Sequence, residues 1–254
     1  MNNNIDNRFS FNDSFSVPAV LLKFRANKKF NVKFEAGSVE YSYNSYGYRT
    51  YEFDTIKENY VLLSGCSHSE GVGLPLESSY CKLLEKNINM PIINLGAGGS
   101  NATFSKKNIM AWIHSKKNLP EFVIVQWPNP YRLSIYTEKI SKFEVVQAPS
   151  SSIIHTMVKL SDSNFLDPWL SAIIDTNNIL QLMKIPCYNI HFQTAENFPK
   201  EIITILNSYN IKMYFNNHDS ESIWLLDNNA LDKSHHSAIC HAQWANRLKE
   251  IINE

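Results

Sequence analysis

The feature that most constrains this chain is a change of hydrophobic period near residue 60. Before it, the stretch FNVKFEAGSVEYSYNSYGYRTYEFD at 30–54 alternates aromatic and polar residues with a period of two and is punctuated by glycines, which predicts hairpin-like strands. From Tyr60 onward, short apolar runs are separated by stretches of helix length. The runs are YVLLSG at 60–65, PIINLG at 91–96, FVIVQW at 122–127 and CYNIHFQ at 187–193, with weaker ones, IKMYF at 211–215 and SIWLL at 222–226. Helices are expected over 76–89, 100–117, 169–184, 199–209 and 237–253. In the last, Ala238, His241, Ala245, Leu248 and Ile252 recur at three- and four-residue spacing. Such alternation calls for a parallel sheet covered by helices on both faces, so the expected class is a three-layer α/β/α domain over 58–254, preceded by an N-terminal β-rich extension over 1–57. Residues 131–166, a mixed segment with serines at 150–152, read as an insertion or lid.

Sheets of this kind gather ligands at the carboxyl ends of their strands. After the first core strand come Gly65, Cys66, Ser67 and His68; after the second, NLGAGGSN at 94–101; after the third, QWPNP at 126–130; and before the last helix, LDKSHHSAICH at 231–241. Acyl transfer needs a nucleophile, a base, a group that orients the base, and donors aimed at the developing oxyanion. All four parts can be drawn from these segments.

Taken in order, the segments resemble the SGNH, or GDSL-like, hydrolases over most of residues 44–245. GCS at 65–67 stands where that family has GDS, which puts Ser67 at the nucleophile position. Gly99 matches the glycine of the second block, Asn129 the asparagine of the GxND block, and Asp232 with His235 the DxxH block. Upstream, NSYGYR at 44–49 is similar to the NSxGFR stretch of a bacterial and phage-type subset. The resemblance implies a three-layer, flavodoxin-like fold and a serine esterase that forms an acyl-enzyme on Ser67. It implies His235 as base, Asp232 as its orienter, and an oxyanion hole from the N–H groups of Ser67 and Gly99 with the amide of Asn129. Trp127 and His68 are expected to line the substrate pocket. No cofactor or metal is required. Cys66 replaces the family's aspartate, and Trp127 and Pro130 replace the glycine and aspartate of GxND, so the bracing of the nucleophile turn must differ from the family's.

Other readings of the same residues stay open at this level. Cys66 is a rival nucleophile, although it points to the opposite side of an extended backbone, and His236 is a rival base. His236, Cys240 and His241 suggest a zinc site, and His241 alone a packed core histidine. The glycines at 96, 98 and 99 can be read as a phosphate cradle, without the spacing of a dinucleotide or Walker loop. The tyrosines at 41, 43, 46, 48 and 51 suit either sugar stacking or hairpin packing, and Arg49 either a structural pin, the favoured reading, or a contact for an anionic substrate.

Composition limits the partners. Lys plus Arg equals Asp plus Glu at 24 each, so no global field draws the chain to nucleic acid or an anionic surface. Four scattered cysteines without a CxxC pair fit reduced thiols in the cytoplasm, and neither a signal peptide nor a spanning segment is legible. The expected partner is a small-molecule or carbohydrate ester, with a lean towards an O-acetyl sugar. A binding or assembly protein on the same fold, with little catalysis, is the alternative.

Overall fold

The computed structural model describes residues 19–56, 58–115, 118–137, 142–147, 162–192, 198–215 and 230–254. Its centre is a five-stranded parallel sheet of β3 (Val61–Ser64), β4 (Ile92–Asn94), β5 (Phe122–Gln126), β8 (Cys187–His191) and β9 (Met213–Phe215), in the order β4-β3-β5-β8-β9. Each strand coincides with an apolar run of the sequence. The run SIWLL and the serines at 150–152 lie outside the described residues.

Both faces of the sheet are covered, which is why its central strands carry continuous apolar runs such as Val61–Leu63 and Phe122–Val125 rather than alternating. Leu62, Val123 and Val125 point to one side, where they join Ile109 and Trp112 of α3 (Ala102–Ser115), Trp169 and Ile173 of α4 (Asp162–Leu182), and Ile202 and Leu206 of α5 (Lys200–Ser208). Val61, Leu63 and Ile124 point to the other, against Tyr80 and Leu84 of α2 (Tyr80–Ile88) and Trp244 and Leu248 of α6 (Ala238–Asn253). This is the three-layer, flavodoxin-like architecture.

Two helices depart from their expected limits. The stretch 76–89 divides into a 3-10 turn at Leu76–Ser78 and α2, because Ser79 takes an extended conformation and its side chain accepts the Lys82 N–H as an N-cap. α4 starts at Asp162, well before Trp169, and runs through Pro168, the residue that argues locally for a break.

Two antiparallel hairpins stand apart from the main sheet: β1 (Lys29–Phe34) with β2 (Gly37–Ser42), and β6 (Arg132–Thr137) with β7 (Lys142–Gln147). The first has its own apolar cluster of Val39, Tyr41 and Tyr43, with Leu231 against it, whereas Leu22, Tyr48 and Phe53 on either side of it belong to the main core. Between hairpin and core lies NSYGYR. Asn44 Oδ1 accepts the N–H groups of Tyr46 and Tyr48, and Arg49, almost fully buried, donates to the carbonyls of Gly71 and Glu40 while lying over the Tyr41 ring. No helix among the described residues is long and apolar enough to cross a membrane.

Candidate active site

Strand β3 delivers its chain to Gly65 and then to a single helical turn, α1 (Ser67–Glu70), closed by Gly71 at φ +74°. Gly65 is required because a Cβ there would fall 2.9 Å from Gln126 Cβ and 2.2 Å from Ser69 Oγ. That close approach lets Gln126 Oε1 accept the Cys66 N–H (3.1 Å), the Cys66 thiol (3.1 Å) and the Ser69 hydroxyl (3.2 Å), while Gln126 Nε2 donates to the Trp127 carbonyl. The carboxamide of Gln126 thereby braces the turn that presents Ser67. Ser67 is 7% exposed, and its hydroxyl lies 4.0 Å from Cys66 Sγ.

The glycine loop after β4 sits beside this turn. Asn94 holds it from below, donating to the Ser69 carbonyl (2.6 Å) and accepting the Gly96 N–H (2.8 Å). Gly98 donates its N–H to Glu70 Oε2 at 2.5 Å, and a Cβ on Gly98 would lie 3.7 Å from Ser67 Cβ. Gly99 adopts φ +78°, which favours glycine, and faces open space. With one glycine N–H committed to a carboxylate and the Gly96 N–H to Asn94, the loop is not a phosphate cradle.

Asp232 and His235 approach from the loop before α6. His235 Nδ1 is 2.5 Å from Asp232 Oδ2, and Asp232 Oδ1 accepts the N–H groups of Ser234 and His235, both at 3.1 Å. The pairing belongs to His235 and not to its neighbour His236. Gly73, at φ +81°, packs so closely that a Cβ would lie 2.8 Å from Asp232 Oδ1; its N–H donates to Tyr41 Oη, and its carbonyl accepts from Leu231. His68 connects the two halves of the site, because its ring lies 5.3 Å from that of His235, 4.6 Å from that of His236 and 4.8 Å from that of Phe192. Burial, reinforced by the neighbouring histidines, holds His68 well below the usual imidazole range, so it is neutral at pH 7. Among the described residues no hydrogen bond joins Ser67 Oγ to His235.

The remaining expected residues fall as follows. Asn129 follows β5, the sheet neighbour of β3, and its Oδ1 accepts the Tyr131 N–H at 2.8 Å, which fixes the side chain with its NH₂ at the other end. Trp127 is a correction: it is fully buried in the main core, with Nε1 donating to Asn189 Oδ1 at 2.9 Å, so it supports the 127–129 loop from beneath and has no face for a substrate. His241 is a core residue whose Nδ1 accepts the Tyr80 N–H, and among the described residues no group of three or more His, Cys, Asp or Glu is arranged to hold a metal. Sequence reasoning missed Gln126 and the trio of buried Glu70 and Tyr43 with half-buried Arg25, in which Glu70 Oε1 lies 2.7 Å from both Arg25 Nη1 and Tyr43 Oη.

Solved structures share this arrangement of strands and helices. A protein described as belonging to the G-D-S-L lipolytic family, from Desulfitobacterium hafniense, superposes with a TM-score of 0.53 at 13% identity, over 76% of this chain and 99% of that one. The chain has the fold of the G-D-S-L lipolytic proteins. An acetyl xylan esterase from Butyrivibrio proteoclasticus gives a TM-score of 0.50 at 13% identity, over 77% of this chain and 63% of that one. A carbohydrate esterase whose active site has divergent catalytic and non-catalytic binding functions gives 0.51 at 9% identity, over 78% and 64%. The chain thus spans under two thirds of the length of those two esterases. No protein-family model and no curated protein matches it. Within the G-D-S-L fold, the first, second and third core strands of this chain carry the Ser67 turn, the glycine loop and Asn129 at one end of the sheet.

Proposed function

We propose that the chain is a serine esterase that cleaves a carboxylic ester, of which an O-acetyl group on a carbohydrate is the favoured case. The observation that carries this reading is the Asp232–His235 pair, oriented by three hydrogen bonds to one carboxylate and set edge-on to His68, the residue next to Ser67. Ser67 Oγ turns from the Cys66 side towards His235 Nε2, gives up its proton there and attacks the ester carbonyl. The resulting oxyanion is held by the N–H groups of Ser67 and Gly99 and the amide of Asn129. Collapse expels the alcohol with the proton from His235, leaving an acyl group on Ser67. Water, deprotonated by His235, then releases the acid. All four thiols are unpaired and three of them are buried, which supports a reducing compartment such as the cytoplasm.

A fluorophosphonate probe tests the reading. Labelling at Ser67 is expected, abolished by Ser67→Ala and strongly reduced by His235→Ala. A folded protein that takes up no label overturns it. The second reading, a binding protein on the same fold, draws on one observation, the absence of a hydrogen bond from Ser67 Oγ to His235 among the described residues.

A further inference from the structure

The three donors proposed for the oxyanion hole stand at the ends of β3, β4 and β5. In the sheet order β4-β3-β5, the glycine loop and the Asn129 loop both flank the Ser67 turn without being neighbours of each other. Two sides of this triangle close at the Ser67 turn. The Gly65 carbonyl accepts the Ala97 N–H and the Ser100 hydroxyl, both at 3.0 Å, which ties the glycine loop to the turn, and Gln126 Oε1 ties the end of β5 to it. The third side is closed by Arg132, three residues after Asn129, whose Nη1 donates at 3.2 Å to the carbonyl of Ser100, the residue after Gly99. We infer that Arg132 is a positioning residue that sets the distance between the Gly99 N–H and the Asn129 amide, an inference that rests on the esterase reading above.

The clamp acts where the amide is oriented. Asn129 Oδ1 accepts the N–H of Tyr131, the residue before Arg132, so the segment that aims the Asn129 side chain is the one the guanidinium holds. From beneath, the same loop is fixed by the Trp169 indole, which donates to the Pro128 carbonyl at 2.8 Å, and by Trp127 on Asn189. Those bonds anchor the loop to the core and leave its lateral distance from the glycine loop to Arg132. Gly99 has nothing within 4 Å of its Cβ position, so packing on that side does not locate its N–H, and the hydrogen bonds of Ser100 do.

An arginine suits the task. Its guanidinium is a rigid, permanently charged fork, and a charge-assisted bond to a carbonyl is stronger than a neutral one. Arg132 is half-buried and opens β6, so the segment 131–166, read from sequence as an insertion or lid, is joined to the glycine loop at its second residue. Its charge also reaches the Ser67 turn: burial and the neighbouring histidines hold His68 below the usual imidazole range, and Arg132 adds to them. A positive charge at that range favours the negative charge that the reaction develops.

The test measures kcat and KM for 4-nitrophenyl acetate, per mole of folded protein, in wild type, Arg132→Met, Arg132→Lys, Asn129→Ala and the double variant Arg132→Met/Asn129→Ala. Full loss of one oxyanion donor costs on the order of 10²- to 10³-fold, so its misplacement should lower kcat about 10- to 100-fold in Arg132→Met, with KM changed less than about twofold. Arg132→Lys, which keeps the charge and a donor, should recover most of that loss. In the Asn129→Ala background the effect of Arg132→Met should shrink to less than about threefold, because the donor it places is gone. An unchanged kcat in Arg132→Met, or losses that simply multiply in the double variant, overturns the inference and leaves the esterase reading standing; a purely structural Arg132 would lower the melting temperature alone. If Arg132→Met does not fold, Arg132→Gln takes its place in the same cycle with the same expected losses. A wild type that neither takes the fluorophosphonate label nor cleaves the ester overturns the esterase reading and this inference with it.

Discussion

His235 and Asp232 are joined twice: the imidazole Nδ1 meets one carboxylate oxygen at 2.5 Å, and the backbone N–H of His235 meets the other at 3.1 Å. A carboxylate held by main chain and side chain of the same residue fixes the imidazole's tautomer, leaving Nε2 as the proton acceptor. Asp232→Asn keeps the shape but reverses that preference. Turnover of 4-nitrophenyl acetate is expected to fall on the order of 10³- to 10⁴-fold with little change in melting temperature. A loss of less than tenfold would remove Asp232 from the mechanism.

Gln126 carries three donors from the Ser67 turn on one oxygen. Gln126→Leu leaves a buried N–H and a buried hydroxyl without that acceptor, and should cost about 2 to 4 kcal/mol in urea denaturation. Gln126→Glu keeps the acceptor but sets a buried carboxylate against the Trp127 carbonyl, so it should cost at least as much at pH 7.

Acid lability follows from three buried histidines. Burial lowers His191 and His241 to about 3 and His236 to about 4, against 6.5 for an open imidazole. The unfolded chain binds these protons first, so the stability present above pH 6.5 is lost as pH falls towards 4. Each histidine contributes a slope approaching about 1.4 kcal/mol per pH unit within that window. Urea midpoints should drop steeply between pH 7 and pH 5; a flat profile would mean that these side chains are protonated in the fold.

Glu70→Gln removes the counter-charge of Arg25, whose side chain is 17% exposed, and weakens the acceptor of the Gly98 N–H. A loss of about 2 kcal/mol in stability is expected. A lower kcat is expected as well, whereas a purely structural role for Glu70 would leave kcat unchanged in the folded fraction.

The central strands were legible because a doubly covered parallel strand must be apolar along its whole length, as Val61–Leu63 and Val123–Val125 are. The Asp232–His235 pairing was legible through the resemblance to the DxxH block, which singled out His235 over His236. What was not legible depends on partners distant in sequence. Trp127 reads locally as a pocket wall, yet its indole is tied to Asn189 beneath the loop, and Gln126 reads as a strand end although its carboxamide braces the Ser67 turn. The one signal for Gln126 was a polar residue closing an apolar run. Glu70 gave none, because only the folded chain brings Arg25 and Tyr43 to it.

One line of hydrogen bonds runs from the Tyr43 hydroxyl through the Glu70 carboxylate to the Gly98 N–H, the residue before Gly99. Whatever leans on Tyr43 from outside also leans on the loop that would receive the negative charge of the reaction. Tyr43→Phe, which breaks that line at its outer end, should therefore slow the bond-breaking step itself, over and above any weakening of grip, because contact made far from the ester is converted into alignment at it.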